Sequence, residues 1–193
     1  MNKGRLEAFS DGVFAIIITI MVLEIKVPVG AGWESLRPLI PTMISYVVSF
    51  LFIGIYWVNH HHLLHTIKKV NSPILWSNIG LLFWLSLVPI ATAWMGETHF
   101  ASDPVALYAV LLLCCGGAFT ILQLNIEKMI GHDEKLIHAF KILKVKGILS
   151  IAIYSTALLF AFVNTTISEI LFLVVSIMWF VPDRNIERAV TND

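Results

Sequence analysis

Charge is scarce in this sequence. Of 193 residues only 13% are Asp, Glu, Lys or Arg, against 58% hydrophobic. A soluble domain carries about a quarter charged residues, so the composition places the chain in a membrane. The formal net charge is zero, and no basic stripe interleaves with aromatics, which sets nucleic-acid binding aside. Cysteine is nearly absent. Cys114 and Cys115 are adjacent within an apolar run. Neighbours make a strained disulfide and have no zinc-type spacing, so they read as two small apolar residues of a helix. There is no phosphate-binding loop and no dinucleotide fingerprint. No serine sits on a Gly-flanked turn with a histidine at matching depth, since Ser86 is followed by Leu87-Val88-Pro89. The outer loops are short and the largest loop is about 127–144, which leaves no room for a soluble catalytic domain.

What is present is a series of apolar segments. A spanning helix needs about 20 mostly apolar residues. Six segments approach this, at about 6–27, 39–64, 74–95, 105–126, 145–163 and 165–181. The apolar core of the last, 167–181, is short and needs Thr165 and Thr166 to complete a crossing. The first segment follows Lys3 and Arg5 but ends in Val22-Leu23-Glu24-Ile25-Lys26, without a small-residue cleavage site. It reads as a retained span rather than a signal peptide. Gly116-Gly117 reads as a close helix contact.

Cations orient the chain. With the N-terminus in the cytoplasm, that side holds Lys3, Arg5, Lys68, Lys69, Lys128, Lys135, Lys141, Lys144, Lys146, Arg184 and Arg188. The outer loops hold only Lys26 and Arg37. Six spans then put both termini in the cytoplasm. The stretch 127–144 reads as an amphipathic surface helix with Leu136, Ile137, Phe140 and Leu143 on one side.

The polar residues cluster at one depth. Arg5, Ser10 and Asp11 open the first span, and Asn59, His60, His61, His62 and His65 close the second. Trp76 and Asn78 start the third. An ionisable residue in a membrane helix has a partner. For Asp11 the candidates are these histidines, Trp76 and Asn78. A zinc on His61 and His65, spaced i and i+4, stays open, and with it a histidine-dependent membrane metalloenzyme. The blander reading is a helix end where imidazoles meet the helix dipole. A secondary transporter is the third class, although no internal repeat with broken helices is visible.

On a wheel at about 100° per residue, Thr19, Ile20 and Leu23 fall within about 60° of Ile16, while Asp11 lies roughly 140° away. Phe9 and Arg5 project onto the Ile16 sector. The stripe is thus bulky and apolar, with one hydroxyl.

Arg5, Phe9, Ser10 and Asp11 form R-x-x-x-F-S-D at the start of the first span. This resembles the signature of the transmembrane protein 175 family of potassium channels, and the resemblance extends over the whole chain. It implies an all-α membrane protein of six transmembrane helices per protomer, a single channel domain over 1–193. Prokaryotic members form homotetramers with the first helix around a central pore. The partners implied are the chain itself, the lipid bilayer of a plasma membrane and monovalent cations. No cofactor or metal is implied beyond potassium as the permeant ion. The resemblance carries pore roles to particular residues. Ile16 would be the narrowest ring, Ile20 and Leu23 further rings, and Thr19 the residue linked to potassium preference. Arg5, Phe9, Ser10 and Asp11 would be structural, tied to His60, His61, His65, Trp76 or Asn78.

Overall fold

The computed structural model describes residues 2–130 and 134–180, with side chains from 136 onward in the second stretch. Val181, which ends the sixth segment, lies outside the described residues, as do Arg184 and Arg188.

The described chain is helical. Helix α1 spans Lys3–Leu23, started by the Asn2 side chain, which accepts from the Gly4 N–H at 3.2 Å. A 3-10 segment, Trp33–Leu39, leads into α2, Ile40–His65. Then follow α3 (Ser72–Ser86), α4 (Val88–Glu97), α5 (Ser102–Glu127), α6 (Glu134–Phe160) and α7 (Thr165–Phe180). Five stretches are long and apolar enough to cross a membrane: Lys3–Leu23, Trp33–His65, Ser72–Glu97, Ser102–Glu127 and Leu136–Phe160. Helix α7 is apolar but has 16 residues. At a rise of 1.5 Å per residue it reaches about 24 Å, short of the ~30 Å hydrocarbon layer.

The third segment, expected to be continuous, breaks at Leu87 into α3 and α4. Pro89 explains the break. It has no N–H to give, and its ring crowds the carbonyl one turn earlier. Both halves stay in the bundle. Helix α3 packs on α5, and α4 packs on α2 and α5. Gly96 near the end of α4 allows close approach: a Cβ there would stand 2.6 Å from the Thr42 Cα of α2. In the turn between α4 and α5, His99 and Phe100 have φ of 54° and 59°. They close α4 as a reverse turn. The Phe100 N–H reaches the Met95 carbonyl at 2.9 Å and the phenyl ring packs on the core.

Two expectations are corrected. Among the described residues, the stretch 127–144 does not carry a separate surface helix. Helix α6 runs unbroken from 134 to 160, with Phe140 and Leu143 buried and only Ile137 strongly exposed. The apolar residues read as a lipid-facing side serve instead as core. Gly116-Gly117 is not a close helix contact either. A Cβ on Gly117 would meet nothing within 4 Å, and one on Gly116 would meet only the Tyr56 hydroxyl, at 3.9 Å.

Candidate ion pathway

Helix α1 has two distinct faces. Leu6, Ser10, Phe14, Ile17 and Met21 are buried and recur every three or four residues, the spacing of one helix side. That side rests on α2, α3 and α4. On the other side Phe9, Ile16, Ile20 and Leu23 are exposed in the protomer, Ile16 by 57% and Leu23 by 79%. Thr19 is exposed between them. The stripe expected from the wheel is therefore the surface of α1 that its own subunit leaves uncovered. The Thr19 hydroxyl donates to the Ile16 carbonyl at 2.8 Å. Its proton is committed to the helix, and its oxygen lone pairs remain as acceptors.

The buried face carries one polar chain. Ser10 Oγ donates to the Leu6 carbonyl at 2.9 Å and accepts from Asn78 Nδ2 at 3.0 Å. Asn78 Oδ1 then lies 2.6 Å from His60 Nε2. The direction is fixed at one end, because the Leu6 carbonyl can only accept. Ser10 must then accept from the Asn78 amide, Asn78 presents its oxygen to His60, and His60 carries its proton on Nε2. All three side chains are buried, and each has the partner that burial requires. The Phe14 ring sits 5.5 Å from the His60 ring, sealing the chain from the side. Helices α1, α2 and α3 are thus joined by Ser10, His60 and Asn78.

Asp11 departs from expectation. Its partner is none of the histidines, nor Trp76, nor Asn78. Trp57 Nε1 donates to Asp11 Oδ1 at 2.8 Å. The geometry explains the choice. Asp11 is exposed while Ser10 is buried, so adjacent motif residues serve different sides of α1. Trp57 lies one turn before His60 and His61 on α2 and reaches round to the Asp11 side. The missed signal was chemical. An indole N–H in a membrane helix needs an acceptor, and Asp11 is the acid at that level. Trp76 is 67% exposed and takes no part. Arg5 and Phe9, the other motif residues, are exposed on α1.

His61 and His65 lie in ring contact, with centroids 4.4 Å apart and planes tilted by 50°. Among the described residues no three His, Cys, Asp or Glu side chains gather as a metal-ligand set. His132 lies outside the described residues. Beyond the C-terminal end of α1, Lys26 pairs with Glu97 at the end of α4. The carboxylate beside it holds the Lys26 ammonium above its ordinary pKa.

The family described as the endosomal/lysosomal potassium channel TMEM175 matches residues 5–89. A potassium channel of Chryseobacterium sp. (strain P1-3) is 50% identical over 189 residues, 98% of each chain. The human endosomal/lysosomal proton channel TMEM175 is 32% identical over 119 residues, 54% of this chain and 23% of the human protein. The crystal structure of a lysosomal potassium-selective channel TMEM175 homologue from Chamaesiphon minutus is similar with a TM-score of 0.79 at 30% identity. That match covers 92% of this chain and 95% of the other. Family, relatives and fold agree: the chain belongs to the TMEM175 family and is a multi-pass membrane ion channel, not an enzyme.

Proposed function

We propose that four copies of the chain form a potassium-permeable cation channel in a plasma membrane, with the exposed stripe of α1 around the symmetry axis. The observation that carries this reading is the division of α1. Its buried face is fully used within the subunit, and the opposite stripe of Ile16, Thr19, Ile20 and Leu23 has no cover. Four-fold closure would give that stripe a common centre. The cation distribution supports cytoplasmic termini, with all six segments forming one channel domain.

Ile16 is the narrowest ring, with Ile20 and Leu23 as further rings. An aliphatic ring gates by dewetting: a hydrated ion passes only when the ring widens or fills with water. Thr19 lies one helical turn from Ile16. Four threonine oxygens, their protons turned to the helix, replace part of an ion's water shell. Potassium holds its water less tightly than sodium, so partial dehydration favours potassium. So few ligands give modest selectivity. Arg5, Phe9, Ser10 and Asp11 act structurally, and Ser10 and Asp11 hold α1 against α3 and α2.

Liposome flux tests the reading. The reconstituted protein should pass potassium at channel rates with no second solute gradient. Absent flux, or flux carried by protons alone, would contradict a potassium pathway.

A further inference from the structure

The loop between α2 and α3 meets the end of α5 at one corner of the subunit. Ile67 and Val70 pack the loop onto the core, and Ile130 does the same just beyond α5. Asn71 caps α3, its Oδ1 accepting the Ile74 N–H at 3.0 Å. From α5, Asn125 Nδ2 reaches the Pro73 carbonyl at 3.5 Å. The loop is therefore held, and held beside the last turn of α5.

Three lysines stand at this corner. Lys68 and Lys69 lie in the loop, Lys128 directly follows α5, and all three are exposed. None of them makes an ion pair or a hydrogen bond among the described residues. The local sequence offers them little: 66–73 contains no acid, and 124–130 contains only Glu127. Glu127 is already engaged, with both carboxylate oxygens 2.8 Å from Lys144 Nζ on α6. The positive end of the α3 dipole adds to the same corner.

The neighbouring side chains fix its depth. Trp76, Ile79 and Phe83 are exposed along α3, and Ile121 and Leu124 along α5 ahead of Lys128. Each set has the spacing of one helix side, and both helices belong to stretches long and apolar enough to cross a membrane. An exposed tryptophan at the end of such a ridge marks the boundary between membrane and water. The ammoniums thus stand where hydrocarbon gives way to headgroups, on the side that the cation distribution assigns to the cytoplasm.

We infer that this corner binds the headgroups of anionic phospholipids in the cytoplasmic leaflet. A phosphodiester supplies the charge that three unpaired ammoniums lack. Free phosphate would meet the lysines alone, whereas a lipid meets the lysines and the apolar ridges together. Asn78, whose amide holds Ser10 of α1, lies two residues after Trp76, so a bound headgroup sits close to the contact that positions the first helix.

The test is native mass spectrometry of the channel purified in detergent and titrated with phosphatidylglycerol or phosphatidylcholine. Phosphatidylglycerol should bind several-fold more tightly per chain. Lys68→Gln, Lys69→Gln and Lys128→Gln remove no internal contact, and each should weaken phosphatidylglycerol by about fivefold, the increment of one lysine at an anionic surface. Phosphatidylcholine binding should not change. Lys26→Gln, which takes the same charge from the outer side, should leave both lipids unaffected. Equal phosphatidylglycerol binding by wild type and the corner variants, or an equal loss in Lys26→Gln, would overturn the site. So would displacement of the lipid by an equal concentration of glycerol phosphate, which would make the ligand a soluble phosphate. Impaired assembly of the corner variants with lipid binding per chain unchanged would make the corner a contact between copies instead. The readout needs no ion flux, so it is independent of the pore reading.

Discussion

Asn78 is a single residue on which three helices depend. Its amide donates to Ser10 and its oxygen meets His60. Asn78→Leu removes both contacts, leaving the buried His60 Nε2 without a partner and Ser10 with only its own bond to the Leu6 carbonyl. A buried group left unpaired costs about 1–3 kcal/mol, so the variant should unfold at clearly lower temperature, read as a fall in the melting point of the purified protein. The Asp11 bond predicts a different outcome. Trp57→Phe keeps the ring but loses the donor to the carboxylate. We expect lower yield of assembled channel and unchanged ion preference in the channels that remain. An altered reversal potential with normal assembly would contradict a structural role. Ser10 and Asn78 were legible as members of one polar level, because depth follows from topology. Trp57 was not, because tryptophan reads as an interface residue until its N–H is given a partner. Depth alone does not say which way a side chain turns, and Ser10 and Asp11, adjacent in sequence, turn to different partners.

At the scale of elements, α1 was the most legible part. Its apolar periodicity gave two faces, and burial follows the same division. The break at Leu87 lay in plain view as Pro89, but a run of apolar residues conceals a bend when hydropathy alone is read. Helix α6 was misjudged for a related reason. Polar residues between 127 and 144 suggested surface, yet Phe140 and Leu143 pack inward because α5 lies alongside. The contact of α4 with α2 gives a sharp prediction. Gly96→Ala would push a methyl group against the Thr42 backbone, where no flexible side chain can yield. Overpacking of this kind costs about 1–3 kcal/mol, and thermal unfolding should report it. The Lys26–Glu97 pair beside that contact is exposed, and exposed pairs contribute little. Its contribution is present at neutral pH, and it is lost as pH rises through the raised lysine pKa. Lys26→Ala should leave the melting point at pH 7 essentially unchanged.

For the whole molecule, the central claim is that the uncovered stripe of α1 is the ion path. One subunit offers only a ridge of aliphatic side chains, and on this proposal a pore exists only when copies bring four ridges together. Native mass spectrometry should therefore find a tetramer. The selectivity claim is checked by the reversal potential under opposed potassium and sodium gradients, where Thr19→Ala should move toward the value of a nonselective pore. The most direct measurement is the unitary conductance of Ile16→Asn against wild type in planar bilayers. A polar ring at the constriction should hold water, so the account predicts a larger conductance. A conductance equal to wild type, in tetramers of normal yield, would contradict Ile16 as the constriction and α1 as the wall of the pore.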